Sequence, residues 1–181
     1  YQINAKQSPR ARFNMSPTLG CAPLNVNFTN TTANMQGATF NWNFGNGSSA
    51  TIANPSTVYS DSGTYAVTLT VTNSNGCFDD STRTVRSNLS PTAIAATTDT
   101  AGCAPYTSTF TNNSLNATSY QWSFGDGSTS TIATPTHTYN TSGNYTVTLV
   151  ATNASGCRDT LVFPYTIKVN NKPVAAFTPA S

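Results

Sequence analysis

Apolar and polar residues alternate with a period of two along several short stretches of the chain. The clearest stretches are Leu24–Phe28, Phe40–Phe44 and Tyr65–Val71, in which every second side chain is apolar. This period is typical of a strand that buries one face. Since no stretch shows the 3.6-residue period of an amphipathic helix, we predict short strands and no helix.

Residues that tolerate positive φ angles stand where these strands end. Asn46-Gly47 and Asp126-Gly127 follow the aromatic-rich strands, and Ser74-Asn75-Gly76 and Ala154-Ser155-Gly156 follow the long threonine-rich strands. Such residues favour tight hairpins. Short strands joined by hairpins predict an all-β fold in which two antiparallel sheets pack face to face.

The same pattern occurs twice in the chain. Phe40–Ser48 reappears 80 positions later as Tyr120–Ser128, and Pro9 reappears 82 positions later as Pro91 and then as Pro173. Repeats of this kind build arrays of modules. We predict the tail of a preceding module at 1–8, whole modules at 9–90 and 91–172, and the start of a following module or a free strand at 173–181.

The alternation places the large aromatic side chains of both modules on the faces that point into a core. We predict as core residues Trp42, Trp122, Phe44, Phe124, Tyr65 and Tyr145. Buried rings cannot serve as platforms for sugars. Phe78 and the tyrosines near the chain ends are the aromatic residues that we expect to be exposed.

The composition favours an uncharged, exported surface. Only 8% of the residues are charged and the net charge is +2, while threonine, serine and asparagine supply most of the polar surface. The basic residues are scattered, so no stripe could neutralise nucleic-acid phosphates. No apolar run is long enough to span a bilayer. We therefore expect an extracellular location, no nucleic-acid partner and no direct membrane span.

The inventory of chemical groups predicts neither an enzyme nor a cofactor. His137 is the only histidine, and the matching stretch of the first module, Ser56-Thr57-Val58, has none. We expect a packing or surface role for it rather than general base catalysis. The chain has six aspartates and no glutamate. Asp126 lies in a turn, but calcium usually needs several carboxylates, so we predict no metal site.

The second module carries the most specific motifs of the chain. Trp122–Ser128, Thr134–Tyr139 and Ser142–Asn153 resemble the polycystic kidney disease (PKD) domain, and the resemblance covers both modules. It implies tandem immunoglobulin-like β-sandwiches, with extracellular stalks, adhesins and secreted hydrolases as typical hosts. The first module departs from the motif, since Asn46 replaces the usual acidic residue. The Gly-Cys-Ala-Pro and Gly-Cys elements resemble the variety found in Bacteroidota surface proteins, often adhesins exported by the type IX system.

Four cysteines at repeated positions indicate disulfides and an oxidising compartment. One alternative pairs Cys21 with Cys77 and Cys103 with Cys157, within modules. In an immunoglobulin-like sandwich, however, the members of each pair lie at opposite ends, roughly 25 Å apart, whereas a disulfide needs Cα atoms within about 7 Å. The other alternative therefore pairs Cys21 with Cys157 between modules. Cys77 and Cys103 would then await partners in the preceding and following modules. A third alternative is that the cysteines are buried and stay reduced.

Three short segments resemble an O-glycosylation motif of Bacteroidota. They are Asp80-Ser81-Thr82, Asp99-Thr100-Ala101 and Asp159-Thr160-Leu161, with Ser81, Thr100 and Thr160 as candidate acceptors.

The leading functional interpretation is a non-enzymatic spacer module of an extracellular, surface-attached adhesin, stalk or filament. Its expected partners are adjacent copies of the module, other subunits of a surface assembly, or glycans. The alternative is an accessory module of a secreted hydrolase that binds protein or carbohydrate.

Overall fold

The computed structural model describes residues 7–33, 35 and 37–175. Residues 1–6 and 176–181, which form most of the two predicted flanking fragments, lie outside the described part. The chain divides into a first unit at 1–89 and a second unit at 90–181. Within the described residues every regular element is a strand, so the fold is all-β as predicted.

The first unit is a sandwich of a three-stranded and a five-stranded sheet, in the orders β1-β3-β6 and β2-β8-β7-β4-β5. All neighbouring strands are antiparallel except β2 and β8, which are parallel. The strands are β1 (Phe13–Ser16), β2 (Leu19–Cys21), β3 (Leu24–Asn30), β4 (Thr39–Asn43), β5 (Ser49–Ala50), β6 (Ser56–Tyr59), β7 (Gly63–Thr72) and β8 (Phe78–Asn88).

The second unit repeats this topology, with sheets β9-β11-β14 and β10-β16-β15-β12-β13. Again only the pair β10 and β16 is parallel. The strands are β9 (Ala95–Thr97), β10 (Ala101–Cys103), β11 (Tyr106–Asn112), β12 (Ser119–Ser123), β13 (Thr129–Ser130), β14 (Thr136–Tyr139), β15 (Gly143–Thr152) and β16 (Arg158–Asn170).

Each unit has its own aromatic core between the two sheets. Trp42 and Trp122 are fully buried, and Phe44 and Phe124 are 2% exposed. Tyr65 and Tyr145 are half-buried and pack against the edge of their cores. Among the aromatic residues outside the cores, Phe78 is 68% exposed.

A bulge in β16 explains why the repeat spacing rises from 80 residues in the middle of the module to 82 residues at its end. β8 has 11 residues and β16 has 13. The pairing of β15 with β16 shifts between Thr146 and Thr148, opposite the segment that contains Pro164. Proline cannot donate to a β-ladder and is tolerated at bulges, so the two extra residues fit here without breaking the sheet.

The two units differ in which sheet supplies one aromatic ring of the core. In the first unit, Phe13 of β1 lies 5.0 Å from Trp42, and the Arg83 guanidinium of β8 lies 5.7 Å from the Phe13 ring centroid. In the second unit, the residue matching Phe13 is Ala95. Phe163, which matches Arg83, supplies the missing ring and lies 6.3 Å from Trp122.

Candidate functional site: the turns and the two ends of each unit

The glycine that follows each aromatic strand is required by space as well as by backbone conformation. Gly45 and Gly125 have φ angles of 75° and 85°. A Cβ added at either position would lie 2.6 Å from a backbone oxygen of the neighbouring strand, that of Ala66 or Thr146. The aromatic-glycine motif therefore encodes a turn packed directly on β7 or β15, which is a structural role.

A buried tyrosine fastens this turn to the core. The Tyr59 hydroxyl donates to the Phe44 carbonyl at 3.0 Å, and the Tyr139 hydroxyl donates to the Phe124 carbonyl at 3.2 Å. Burial, with a smaller contribution from Tyr65, raises the pKa of Tyr59 to about 12. Burial likewise raises the pKa of Tyr139. Both phenols therefore stay neutral donors in the physiological range, consistent with structural anchors.

The second unit carries a histidine–aspartate pair that the first unit lacks. His137 Nε2 lies 2.7 Å from Asp126 Oδ2, and the imidazole stacks on Phe124 at a centroid distance of 4.2 Å. Strand register makes Thr57 the counterpart of His137. In the first unit its hydroxyl lies 3.2 Å from that of Ser48, which in turn bonds Asn46.

The environment of Asp126 favours its ionised form. Burial acts to raise the pKa of this carboxyl, but hydrogen bonds from His137 and from the Ser128 amide and hydroxyl outweigh it, so the pKa lies below its ordinary value. A lowered pKa means that the carboxylate stabilises the fold above the unfolded pKa, and that this stability is lost as pH falls through the folded pKa.

We predict that acid destabilises the second unit of the wild type more than that of Asp126→Asn. The stability advantage of the wild type over the variant should shrink as pH falls below the ordinary carboxyl value of 3.8. The measurement is the melting temperature of each unit between neutral and strongly acidic pH. The first unit, with Asn46 and Thr57, is the internal control and should respond equally in both proteins. Equal acid sensitivity of the second unit in both proteins would contradict the prediction.

An aspartate of the last strand accepts a hydrogen bond from the start of each unit. The Ala11 amide donates to Asp79 Oδ2 at 2.8 Å, and the Ala93 amide donates to Asp159 Oδ2 at 2.8 Å. No local pattern in the sequence indicates a role for either aspartate. Both residues are half-buried, and their contacts place the chain's entry into each unit at the start of β8 or β16.

The same end of each unit contains an asparagine-capped hairpin that holds a cysteine. Asn73 Oδ1 accepts hydrogen bonds from the amides of Asn75 and Cys77, each at 3.0 Å. Asn153 Oδ1 accepts the equivalent bonds from Ser155 and Cys157, again at 3.0 Å. The asparagine side chain satisfies turn amides that would otherwise lack partners, as is common for this residue type. Cys77 and Cys157 are therefore presented by the same scaffold.

The opposite end of each unit presents the other cysteine on the short parallel strand. Cys21 of β2 lies beside Asn88, and Cys103 of β10 lies beside Asn170, the last residues of β8 and β16. Glycine precedes each cysteine because a side chain of the next strand covers it. A Cβ on Gly102 would overlap the ring of Tyr106. This packing explains the glycine of the Gly-Cys-Ala-Pro element.

The structure disagrees with cysteine pairing inside a module. Cys77, which is half-buried, and Cys103, which is exposed, are free thiols. Each within-module pair contains one of them, so neither the Cys21–Cys77 pair nor the Cys103–Cys157 pair is formed. The physical reason is distance. Cys77 precedes the 11-residue β8 and Cys21 lies beside its end, so roughly 35 Å of strand separates them.

The candidate glycan acceptors lie in different environments. Ser81 faces inward, opposite the buried Leu69, and is half-buried. Thr160 points to the outer face of the sheet, opposite Val150, and Thr100 is exposed before β10. Ser81 and Thr160 differ because their motifs are displaced by one residue relative to the repeat, which reverses the face of a strand. Exposure favours Thr100 and Thr160 as acceptors, and modification stays a prediction.

Among residues 7–33, 35 and 37–175, no three His, Cys, Asp or Glu side chains lie close enough to hold a metal ion together. In the same part of the chain, no helix has the length and apolar character needed to cross a bilayer.

Comparisons with known proteins match both halves of the chain. The family model described as the PKD domain matches residues 6–89 and 88–169. The pre-pro-metalloprotease PrtV of Vibrio cholerae is 49% identical over 55 residues, which is 30% of this chain and 6% of PrtV. Collagenase ColA of Bacillus cereus is 55% identical over 38 residues, 21% of this chain and 4% of ColA. The chain thus matches only a small part of either relative.

Two solved PKD1 domains are similar to part of this chain. The PKD1 domain of the Vibrio cholerae metalloprotease PrtV is 33% identical and aligns with a TM-score of 0.40, covering 45% of this chain and 99% of that domain. The PKD1 domain of Vibrio anguillarum Epp is 30% identical, with a TM-score of 0.41, and covers 47% of this chain and 99% of that domain.

Proposed function

The chain belongs to the PKD domain family, and from this premise we propose that it is a non-enzymatic spacer of an extracellular, surface-attached adhesin, stalk or filament. One observation carries the proposal: the chain enters and leaves each unit at opposite ends. In the first unit, Ala11 bonds Asp79 at the start of β8, whereas the chain leaves at Asn88, the end of that strand. Ten residues of strand give a displacement of roughly 30 Å per unit.

The side chains of the repeated motif support a structural role over a catalytic one. The tryptophans lie in the cores, the glycines pack on neighbouring strands, and the buried tyrosines bond the turns. Asp79 and Asp159, the aspartates present in both units, are engaged with backbone amides. The repeated polar residues therefore serve the fold and the entry of the chain.

A disulfide between Cys21 and Cys157 would make such a spacer stiff. Cys21 lies beside Asn88, where the chain leaves the first unit. Cys157 precedes β16 by one residue, near the point where the Ala93 amide bonds Asp159. Four residues, 89–92, connect these two points in the sequence. We propose that the disulfide closes across this connector.

Disulfide mapping tests the spacer design. We expect digestion without reducing agent to release a Cys21–Cys157 cross-linked peptide. We further expect Cys21→Ser to broaden the distribution of end-to-end distances in small-angle X-ray scattering, while the matched control Cys77→Ser leaves it unchanged. A Cys21–Cys77 peptide would contradict the proposed bond. Scattering that is identical for the wild type and both variants would contradict the stiff spacer.

A second candidate function is an accessory binding module of a secreted hydrolase. The observation that favours it is the local similarity to PrtV and ColA, whose names describe a metalloprotease and a collagenase. A catalytic domain encoded in the same gene, together with retention of the purified chain on collagen or a polysaccharide, would support this function. Phe78→Ala should weaken this retention, since Phe78 is 68% exposed and available to a ligand.

A further inference from the structure

We propose that Cys77 and Cys103 are junction thiols: each forms a disulfide with a further copy of the module, Cys77 with a preceding copy and Cys103 with a following one. The partner is a module with the same two-ended arrangement. This inference rests on the proposed junction between Cys21 and Cys157 and extends it to both ends of the pair of units.

The hairpin end of the first unit is built like that of the second. The Asn73 amide donates to the Cys77 carbonyl at 2.9 Å, and the Asn153 amide donates to the Cys157 carbonyl at 3.0 Å. The asparagine side chains cap both turns with bonds of the same length. The backbone therefore holds Cys77 in the same way as Cys157. A cysteine that can form a disulfide with one should be able to form the equivalent disulfide with the other.

The opposite ends of the two units also match each other. The Ala22 amide donates to the Asn88 carbonyl at 2.8 Å, and the Ala104 amide donates to the Asn170 carbonyl at 2.9 Å. These bonds fix Cys21 and Cys103 at the same place on the parallel strand. Cys103 is exposed, as a thiol that awaits a partner outside its own module must be.

Distance excludes a partner inside the same module. Cys157 precedes the 13-residue β16 and Cys103 lies beside its last residue, so roughly 40 Å of strand separates them. A disulfide needs Cα atoms within about 7 Å. The hairpin cysteine of one module therefore needs a partner from another module, and the proposed Cys21–Cys157 bond makes the parallel-strand cysteine that partner. Pro173, which lies 82 residues after Pro91, continues the register that such a neighbour requires.

The bond forms by thiol–disulfide exchange. One thiolate attacks a sulfur of an oxidised donor, either a small-molecule disulfide or a disulfide oxidoreductase, and forms a mixed disulfide. The second thiolate displaces the donor sulfur. The two cysteines lose two protons and two electrons, and the donor is reduced to its thiols. An oxidising compartment supplies this donor.

A tandem duplication of residues 9–172 tests the inference. Joining residue 172 to Pro9 of the second copy keeps the natural period and sets Cys103 of the first copy next to Cys77 of the second. The protein is refolded in a mixture of reduced and oxidised glutathione, in which reduced glutathione returns unpaired cysteines to thiols. The monomeric fraction is then denatured and its free thiols are counted. Eight cysteines are present, and we expect three disulfides and two free thiols. Peptide mapping should show the Cys103–Cys77 cross-link.

The thiol count separates this inference from the spacer design. Four free thiols, with only Cys21–Cys157 peptides, would overturn the inference and leave the proposed junction intact. Eight free thiols would overturn both. Cys103→Ser in the first copy is the matched control, since it should leave Cys77 of the second copy free and raise the count from two to three. The single-copy chain, treated in the same way, should retain two.

Discussion

Gly45→Ala should destabilise the first unit by roughly 2–5 kcal/mol, while Gly47→Ala, two residues away, should cost only about 1–2 kcal/mol. Both glycines have positive φ, 75° and 87°, so alanine strains the backbone at either position. At Gly45 the new Cβ would also lie 2.6 Å from the Ala66 oxygen, whereas at Gly47 it meets no atom within 4 Å. A backbone oxygen held in a sheet cannot move aside easily.

Urea unfolding followed by amide NMR signals measures the two units separately. In Gly45→Ala the signals of the first unit should disappear at much lower urea than in the wild type, and those of the second unit should not move. Gly125→Ala and Gly127→Ala provide the same comparison in the second unit. If the two substitutions in one unit lower the free energy of unfolding by the same amount, close packing of the turn on the neighbouring strand does not explain why the first position is glycine.

Phe163→Ala should destabilise the second unit by roughly 3–5 kcal/mol, the usual cost of removing a buried phenylalanine ring. Phe163 is 5% exposed, and its ring lies 6.0 Å from Phe110 and 6.3 Å from Trp122. The residue opposite, Ala95, is too small to fill the space. A cavity would therefore remain beside the central tryptophan.

Two further substitutions show whether the ring itself matters. Arg83→Ala, the equivalent change in the first unit, should cost only about 0.5–1 kcal/mol, since it removes an exposed cation–π contact to Phe13. Ala95→Phe added to Phe163→Ala should recover roughly 1 kcal/mol or more by supplying a ring from the other sheet, as the first unit does. Loss of the same stability in Arg83→Ala and Phe163→Ala would contradict this account of the cores.

Local patterns in the sequence were enough to predict the strands and the central core. Trp42 and Trp122 alternate with polar residues, and a period of two leaves little choice about which face is buried. The sequence did not predict that the core ring supplied by Phe13 in the first unit is supplied by Phe163 in the second. Each belongs to a different strand, and only pairing across the sandwich shows that Ala95 leaves space that Phe163 fills.

The candidate site was predicted in part, for a similar reason. The repeat placed the cysteines at equivalent positions, and the usual topology of a sandwich suggested that Cys21 and Cys77 lie at opposite ends. The role of Asp79 was missed because its partner, the Ala11 amide, is 68 residues away in sequence. Likewise, the pairing of His137 with Asp126 depends on the approach of β14 to a turn, which no local pattern encodes.

The parallel pairing of β2 with β8 has a mechanical consequence for a chain that is pulled at its ends. Both strands run in the same direction, and they are joined in register from Leu19 and Arg86 to Cys21 and Asn88. Tension that draws the early part of the unit away from its C-terminal strand slides the two strands along each other. The hydrogen bonds between them are then loaded in shear, so they share the force and must break together instead of opening one after another.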